Sequence, residues 1–189
     1  MPILSKRNTV ILAIVLSIMM WATRNHHVMT LTHLPDASWA IFFLLGFYFR
    51  QRMMLPLFLA QAAIIDYLSI TQFGTDDYCV TSAYAFLLPA YSMLWLAGNW
   101  YAARYQFHVR TLPLFAAATL TGATICELIS SGSFYFLGGH FADTSLSEFA
   151  LRFARYFPSS LGYIALYLGC AALIHVLLVS ARRPSAAAQ

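Results

Sequence analysis

The polar residues of this chain fall in short clusters between long apolar runs, with no two-residue alternation and no internal repeat. "VILAIVLSIMMWA", "AIFFLLGFYF" and "LPLFLAQAAIID" open a series of such runs. A membrane-spanning helix needs roughly 20 apolar residues. Continuous runs point to helices, because the strands of a membrane barrel alternate. The pattern predicts helices near residues 9–23, 37–50, 53–73, 79–103, 111–130 and 156–180. The second run is short, so it either extends back over "THLPD" or stops part-way. Pro56, Pro89 and Pro113 fall within or at the starts of helices, where a membrane tolerates them as sources of bends. In "SLSEFALRFARYF", Ser145 and Glu148 fit a capping box. That segment predicts a short amphipathic outer helix over about 145–157, feeding the sixth helix.

Composition agrees with the pattern. The chain of 189 residues is 60% hydrophobic and 10% charged, against roughly 45–50% and about 25% for a soluble domain. The expectation is an all-α membrane protein, one domain over 1–189 with six transmembrane helices, embedded in lipid. The start, "MPILSKRNTVILAIVLSIMMWATRN", imitates a secretory signal. It shows no small-residue cleavage site, and it reads as a retained first helix.

Charge sets the orientation. Lys6, Arg7, Arg50, Arg52, Arg104, Arg110, Arg182 and Arg183 fall on one side, and Arg24, Arg152 and Arg155 on the other. Positive-inside places both termini in the cytoplasm. Scattered in short loops, these cations set topology and do not form a nucleic-acid surface. Asp36, Asp76, Asp77, Asp143 and Glu148 then lie outside, with His26, His27, His33 and His140. The polar chemistry faces outward. No P-loop or other ATPase signature is present, so active transport would draw on a partner or a gradient.

A few residues carry candidate chemistry. Cys79 stands in "GTDDYCVTSAYAF" at the edge of the predicted fourth helix, with Asp77 as a plausible N-cap. A helix N-terminus lowers a thiol pKa and adjacent acids raise it. A thiolate is a soft ligand for transition metals. Cys126 and Cys170, inside helices, read as packing residues. Asp66 is an acid within the third helix, costly there and therefore a site candidate, with a hydrogen bond to Tyr or Ser as the plainer account. Glu127, in "CELISSGS", reads as a solvated acid near a helix end. Tyr84 follows Cys79 by five residues, ~140° around a regular helix, so the two share a site only if Cys79 sits on the cap. Arg152 either pairs with Glu148 on the surface or reaches an amide, phosphate or carboxylate. His26, His27 and His33 with Asp36 form a loose cluster that matches no standard metal-ligand spacing.

Six helices in a short chain resemble the substrate-binding S-component of energy-coupling factor transporters. "TLTHLPDASWAIFFLLGFYFR", "DYCVTSAYAFLLPAYS" and "GSFYFLGG" together resemble the BtuM family, predicted vitamin B12 transporters of Gram-negative bacteria. The resemblance implies an S-component-like bundle in the bacterial inner membrane that takes up cobalamin. It implies Cys79 as axial ligand to the cobalt, accompanied by Asp66, Tyr84 and Arg152. A strong thiolate donor below cobalt should weaken the bond to a cyanide above, so binding is expected to promote loss of cyanide from cyanocobalamin. S-components that share an energising module usually carry Ala-x-x-x-Ala in helix one, and here the nearest match is Ala13-x-x-x-Ser17. That departure fits a solitary S-component. Two other readings are open: a cobalt or nickel permease using the outer histidines, Asp36 and Asp66, and a non-transporting membrane subunit in which Cys79 is incidental.

Overall fold

The structure is a computed structural model that describes residues 5–24, 34–49, 51–73 and 81–182. Among these there is no strand. The helices are α1 (Lys6–Arg24), α2 (Ser38–Tyr48), α3 (Met54–Phe73), α4 (Leu87–Arg104), α5 (Leu112–Leu137) and α6 (Leu146–Arg182). Short 3-10 turns at Ser82–Phe86 and Val109–Thr111 lead into α4 and α5. Four helical segments, Lys6–Arg24, Met54–Gln72, Val109–Leu137 and Leu146–Ala181, are long and apolar enough to cross a membrane.

α2 is the centre of the bundle. Its 11 residues span about 16 Å at the α-helical rise, so it stops well short of a bilayer's hydrocarbon thickness. It is apolar all round, and Ala40 to Leu45 are buried without a break, as expected of a helix enclosed on every side. Its main neighbour is α4, and glycines bring the two backbones together. A Cβ on Gly46 would collide with the Trp95 carbonyl, and one on Gly98 with the Phe43 carbonyl. Small residues permit this approach where helices cross in lipid. Phe42 and Tyr91 stack across the same interface with ring centroids 4.5 Å apart. By contrast, α1 and α6 expose rows of large apolar side chains, among them Val10, Ile14, Ile18, Leu173, Ile174 and Leu177. Such a surface suits lipid.

Pro56, Pro89 and Pro113 all lie in the first turn of their helices. A proline is tolerated in a first turn, where its fixed φ suits the helix. They begin helices and do not bend them. The helical interior instead holds Pro158. A sixth helix starting at 156 would have put Pro158 in a first turn. The structure runs one unbroken helix from Leu146 and absorbs the expected short outer helix into it. Ser145 does cap this helix, its Oγ accepting from the Glu148 N–H at 3.2 Å. Glu148 does not complete the box; its carboxylate turns outward to Arg152 at 3.0 Å.

The fourth helix also begins later than residue 79. Thr81 caps the Ser82–Phe86 turn through its side chain, which accepts from the Ala83 N–H at 3.2 Å, and α4 starts at Leu87. α5 runs on to Leu137, past the "SSGS" that reads as a stop. Alternation along the chain gathers the ends of α1, α3 and α5 with the starts of α2, α4 and α6. This is the Arg24 end of the bundle; Arg104 marks the other.

Candidate ligand-binding site

The Arg24 end is organised by one guanidinium. Arg24 closes α1, and its side chain is 9% exposed. Its Nε donates to Asp66 Oδ1 at 2.6 Å and its Nη2 to Asp66 Oδ2 at 2.7 Å. This two-pronged geometry is what the planar fork of arginine favours. Nη1 donates to Ser38 Oγ at 2.9 Å and to Tyr91 Oη at 3.0 Å. The Asp36 carboxylate stands 3.9 Å away and accepts from the Ser38 N–H and hydroxyl at 2.9 and 2.6 Å. Tyr84 donates to Asp66 Oδ2 at 2.6 Å. α1, α2, α3, α4 and the turn ahead of α4 are thus tied at one point.

Asp66 therefore accepts three charge-assisted or phenolic hydrogen bonds. Buried polar groups are tolerated when satisfied in this way. Tyr84 lies on the Ser82–Phe86 turn, outside the four candidate spans. Burial, and after it the hydrogen bond to Asp66, raise its phenol above the ordinary value. The neutral form that donates to Asp66 is thereby favoured.

Two cavities open at this end of the bundle, and the second reaches the cluster at Asp36 and Tyr91. One, of about 350 Å³, is lined by Glu127, Ser130, Ser131, Phe134, Tyr135 and Arg152, with further aromatic rings. The other, of about 330 Å³, is lined by Asp36, Trp39, Tyr91, Ser160 and Tyr163 and again by Glu127, Ser130 and Ser131. The two share the α5 wall. Volumes of this order are those of small-molecule pockets. Arg152 sits on the far wall of the first cavity, its side chain 40% exposed and paired with Glu148. Its guanidinium lies 4.7 Å from the Phe141 ring centroid and 5.6 Å from that of Tyr135, within cation–π range.

The structure brings Asp66 and Tyr84 into direct contact and places Arg152 on a cavity wall, apart from them. Cys79 lies outside the described residues, as do Asp76, Asp77, His26, His27 and His33. Cys126 is buried, as a packing cysteine should be, whereas Cys170 is exposed on α6. Among the described residues no group of three His, Cys, Asp or Glu side chains could hold a metal ion. Asp36 and Asp66 are both engaged with Arg24.

Two positions differ from expectation. Arg24 reads in sequence as a loop charge that sets topology; it is the hub of the cluster. An acid inside a helix demands a counter-charge, and that demand was the available signal. Glu127 reads as a solvated end residue. It lies about three turns before the end of α5 at Leu137 and is 6% exposed. Helix one has a related surprise. Ser17 of the Ala13-x-x-x-Ser17 stretch donates to Gln61 Oε1 at 3.1 Å, and Gln61 Nε2 returns a bond to the Ser17 carbonyl at 3.0 Å. The small-residue position is used within the bundle, against α3.

An ion-paired polar cluster and two aromatic-walled cavities at one end of an apolar helical bundle define a transmembrane helical protein with a built polar site. No protein-family model matches the chain, and no curated protein matches it.

Proposed function

We propose that this protein takes up cobalamin across the bacterial inner membrane as a BtuM-like, solitary S-component of the energy-coupling factor type. On this reading six helices lie in the membrane, both termini are cytoplasmic, and the Arg24 end faces outward. Cys79 is the axial ligand to cobalt. The observation that carries the reading is that three of the four residues singled out by the family resemblance gather at the Arg24 end, with Tyr84 donating to Asp66 at 2.6 Å. A further cavity of about 370 Å³, lined by Tyr48, Tyr105 and His175 among others, lies at the other end of the bundle; Asp66 and Tyr84, 18 positions apart, meet at the end that holds the two described above. Arg152 lines one of these two. Cys79 precedes the Thr81 cap of the Tyr84-bearing turn by two positions in sequence.

The residues have complementary tasks. The Arg24 fork fixes Asp66, and Asp66 fixes Tyr84, so the turn that follows the cysteine is anchored to α1 and α3. Arg152 offers charge to the amide rim or the phosphate of the ligand. Phe134, Tyr135 and Phe153 supply apolar walls for a large amphipathic ring. A corrinoid exceeds either cavity alone, and the shared α5 wall lets one ligand address both. The thiolate lone pair on Cys79 forms the Co–S bond in place of the dimethylbenzimidazole nitrogen, which leaves with its own lone pair, and this strong donor weakens the Co–C bond on the opposite face. Cyanide then leaves with the bonding pair and takes up a proton from water, so cobalt keeps its oxidation state.

The test is spectroscopic. Purified protein mixed with cyanocobalamin should change the corrin absorbance, and Cys79→Ala should not. A spectrum unchanged by the wild type, or changed equally by Cys79→Ala, overturns the cysteine ligand. Growth of a B12-dependent strain without its own importer separates uptake from mere binding: the wild type should rescue it, and failure to do so removes the transport role.

A further inference from the structure

The cavity wall holds an acid that the proposed set of ligand residues does not use. Glu127 is 6% exposed and lines both cavities. Its Oε1 accepts one hydrogen bond, from Ser131 Oγ at 2.7 Å. Among the described residues its carboxylate makes no ion pair. Ser130, one turn away, spends its hydroxyl on the Cys126 carbonyl at 2.9 Å. A carboxylate can accept about four hydrogen bonds, so Glu127 keeps accepting capacity for whatever fills the cavities it lines. A ligand that fills the cavities displaces water from this carboxylate, and one that brings donors replaces the hydrogen bonds so lost.

We infer that Glu127 is a specificity-determining contact, which accepts hydrogen bonds from primary amide N–H groups of the ligand and rejects carboxylates at the same position. This inference rests on the cobalamin reading and deepens it. The corrin periphery carries acetamide and propionamide arms. Incompletely amidated corrinoids carry carboxylates in their place. An amide arm donates to Glu127, whereas a carboxylate arm brings a second acid to the same place and binds only with a proton taken up between the two, which costs affinity at neutral pH. Selection by a repulsive element is an effective way to discriminate ligands of one shape. The opposite wall differs in sign: Arg152 is partly neutralised by Glu148, and it tolerates acceptors. The two walls therefore read different arms of one ligand, donors at α5 and acceptors at α6.

The experiment compares cobalamin with its separate monocarboxylates, each with one peripheral amide hydrolysed, by titration calorimetry on the purified protein. The wild type should bind cobalamin at least about tenfold more tightly than one of these isomers. Glu127→Gln, nearly isosteric and able to donate to a carboxylate, should cut that preference about tenfold while keeping the Cys79-dependent absorbance change. Glu127→Asp, which keeps the charge, should retain the preference. A wild type that binds every monocarboxylate as tightly as cobalamin overturns the inference without recourse to any variant. So does a Glu127→Gln protein with the wild-type preference, or a Glu127→Asp protein that behaves as Glu127→Gln; the cobalamin reading survives all three. Absence of corrinoid binding by the wild type overturns both.

Discussion

Arg24 and Asp66, 42 positions apart, share two hydrogen bonds of 2.6 and 2.7 Å inside a bundle that is otherwise largely apolar. Breaking such a pair from one side strands a charge, which costs roughly 3–5 kcal/mol. Arg24→Met and Asp66→Leu should each lower the unfolding temperature in detergent by several degrees. The double replacement Arg24→Met/Asp66→Leu should cost much less than the sum, because no charge is left behind. Strict additivity in that cycle would show that the pair is not coupled.

Tyr84→Phe removes one donor from Asp66 and leaves the Arg24 fork in place. The loss should be about 1 kcal/mol in stability, the usual net worth of one hydrogen bond. On the proposed reading it should also loosen the turn that follows Cys79 and weaken cobalamin binding several-fold, without abolishing the Cys79-dependent absorbance change. Calorimetry and absorbance on the same sample check both parts.

Gly46 and Gly98 permit the contact between α2 and α4. Gly46→Ala or Gly98→Ala pushes a methyl group against a partner backbone carbonyl, and overpacking of this kind costs typically about 1–3 kcal/mol. Gly162 in α6 has nothing within 4 Å of an added Cβ. Gly162→Ala should therefore be neutral or slightly stabilising, by up to about 1 kcal/mol. Thermal unfolding of the three variants, side by side, tests the contrast.

Orientation is open to chemical labelling. In a background without the native cysteines, Asp143→Cys at the Arg24 end should react with a membrane-impermeant maleimide added to intact cells. Val109→Cys, exposed at the other end, should react only after the membrane is opened. The reverse pattern would invert the proposed topology.

How far the sequence could be read depended on whether a feature was local. The predicted segments 9–23 and 53–73 lie close to α1 and α3 (Lys6–Arg24 and Met54–Phe73), because a long apolar run between charges marks its own ends. The start of α4, the end of α5 and the start of α6 did not follow the reading. "SSGSFYFLGG" has the composition of a stop, yet Ser130, Ser131 and Ser133 bond back to carbonyl or carboxylate oxygens within their own helix and the helix continues. Ser145 was legible as a cap for the same reason that Glu127 was not legible as a cavity residue. A cap is decided by neighbours in sequence, whereas burial at residue 127 is decided by α6 and by the true length of α5. Asp66 could be singled out by the cost of an acid in a membrane; that its partner is Arg24 required the packing of α1 against α3.

The shortness of α2 has a consequence for how the chain is made. At about 16 Å it cannot bridge a hydrocarbon core of roughly 30 Å, and it offers the lipid almost no surface of its own. Its place exists only once α4, which follows it by nearly forty residues, has been synthesised and laid against it. The glycines at 46 and 98 are therefore a late fastening step in biogenesis, and changes there should show first as newly made protein lost to quality control.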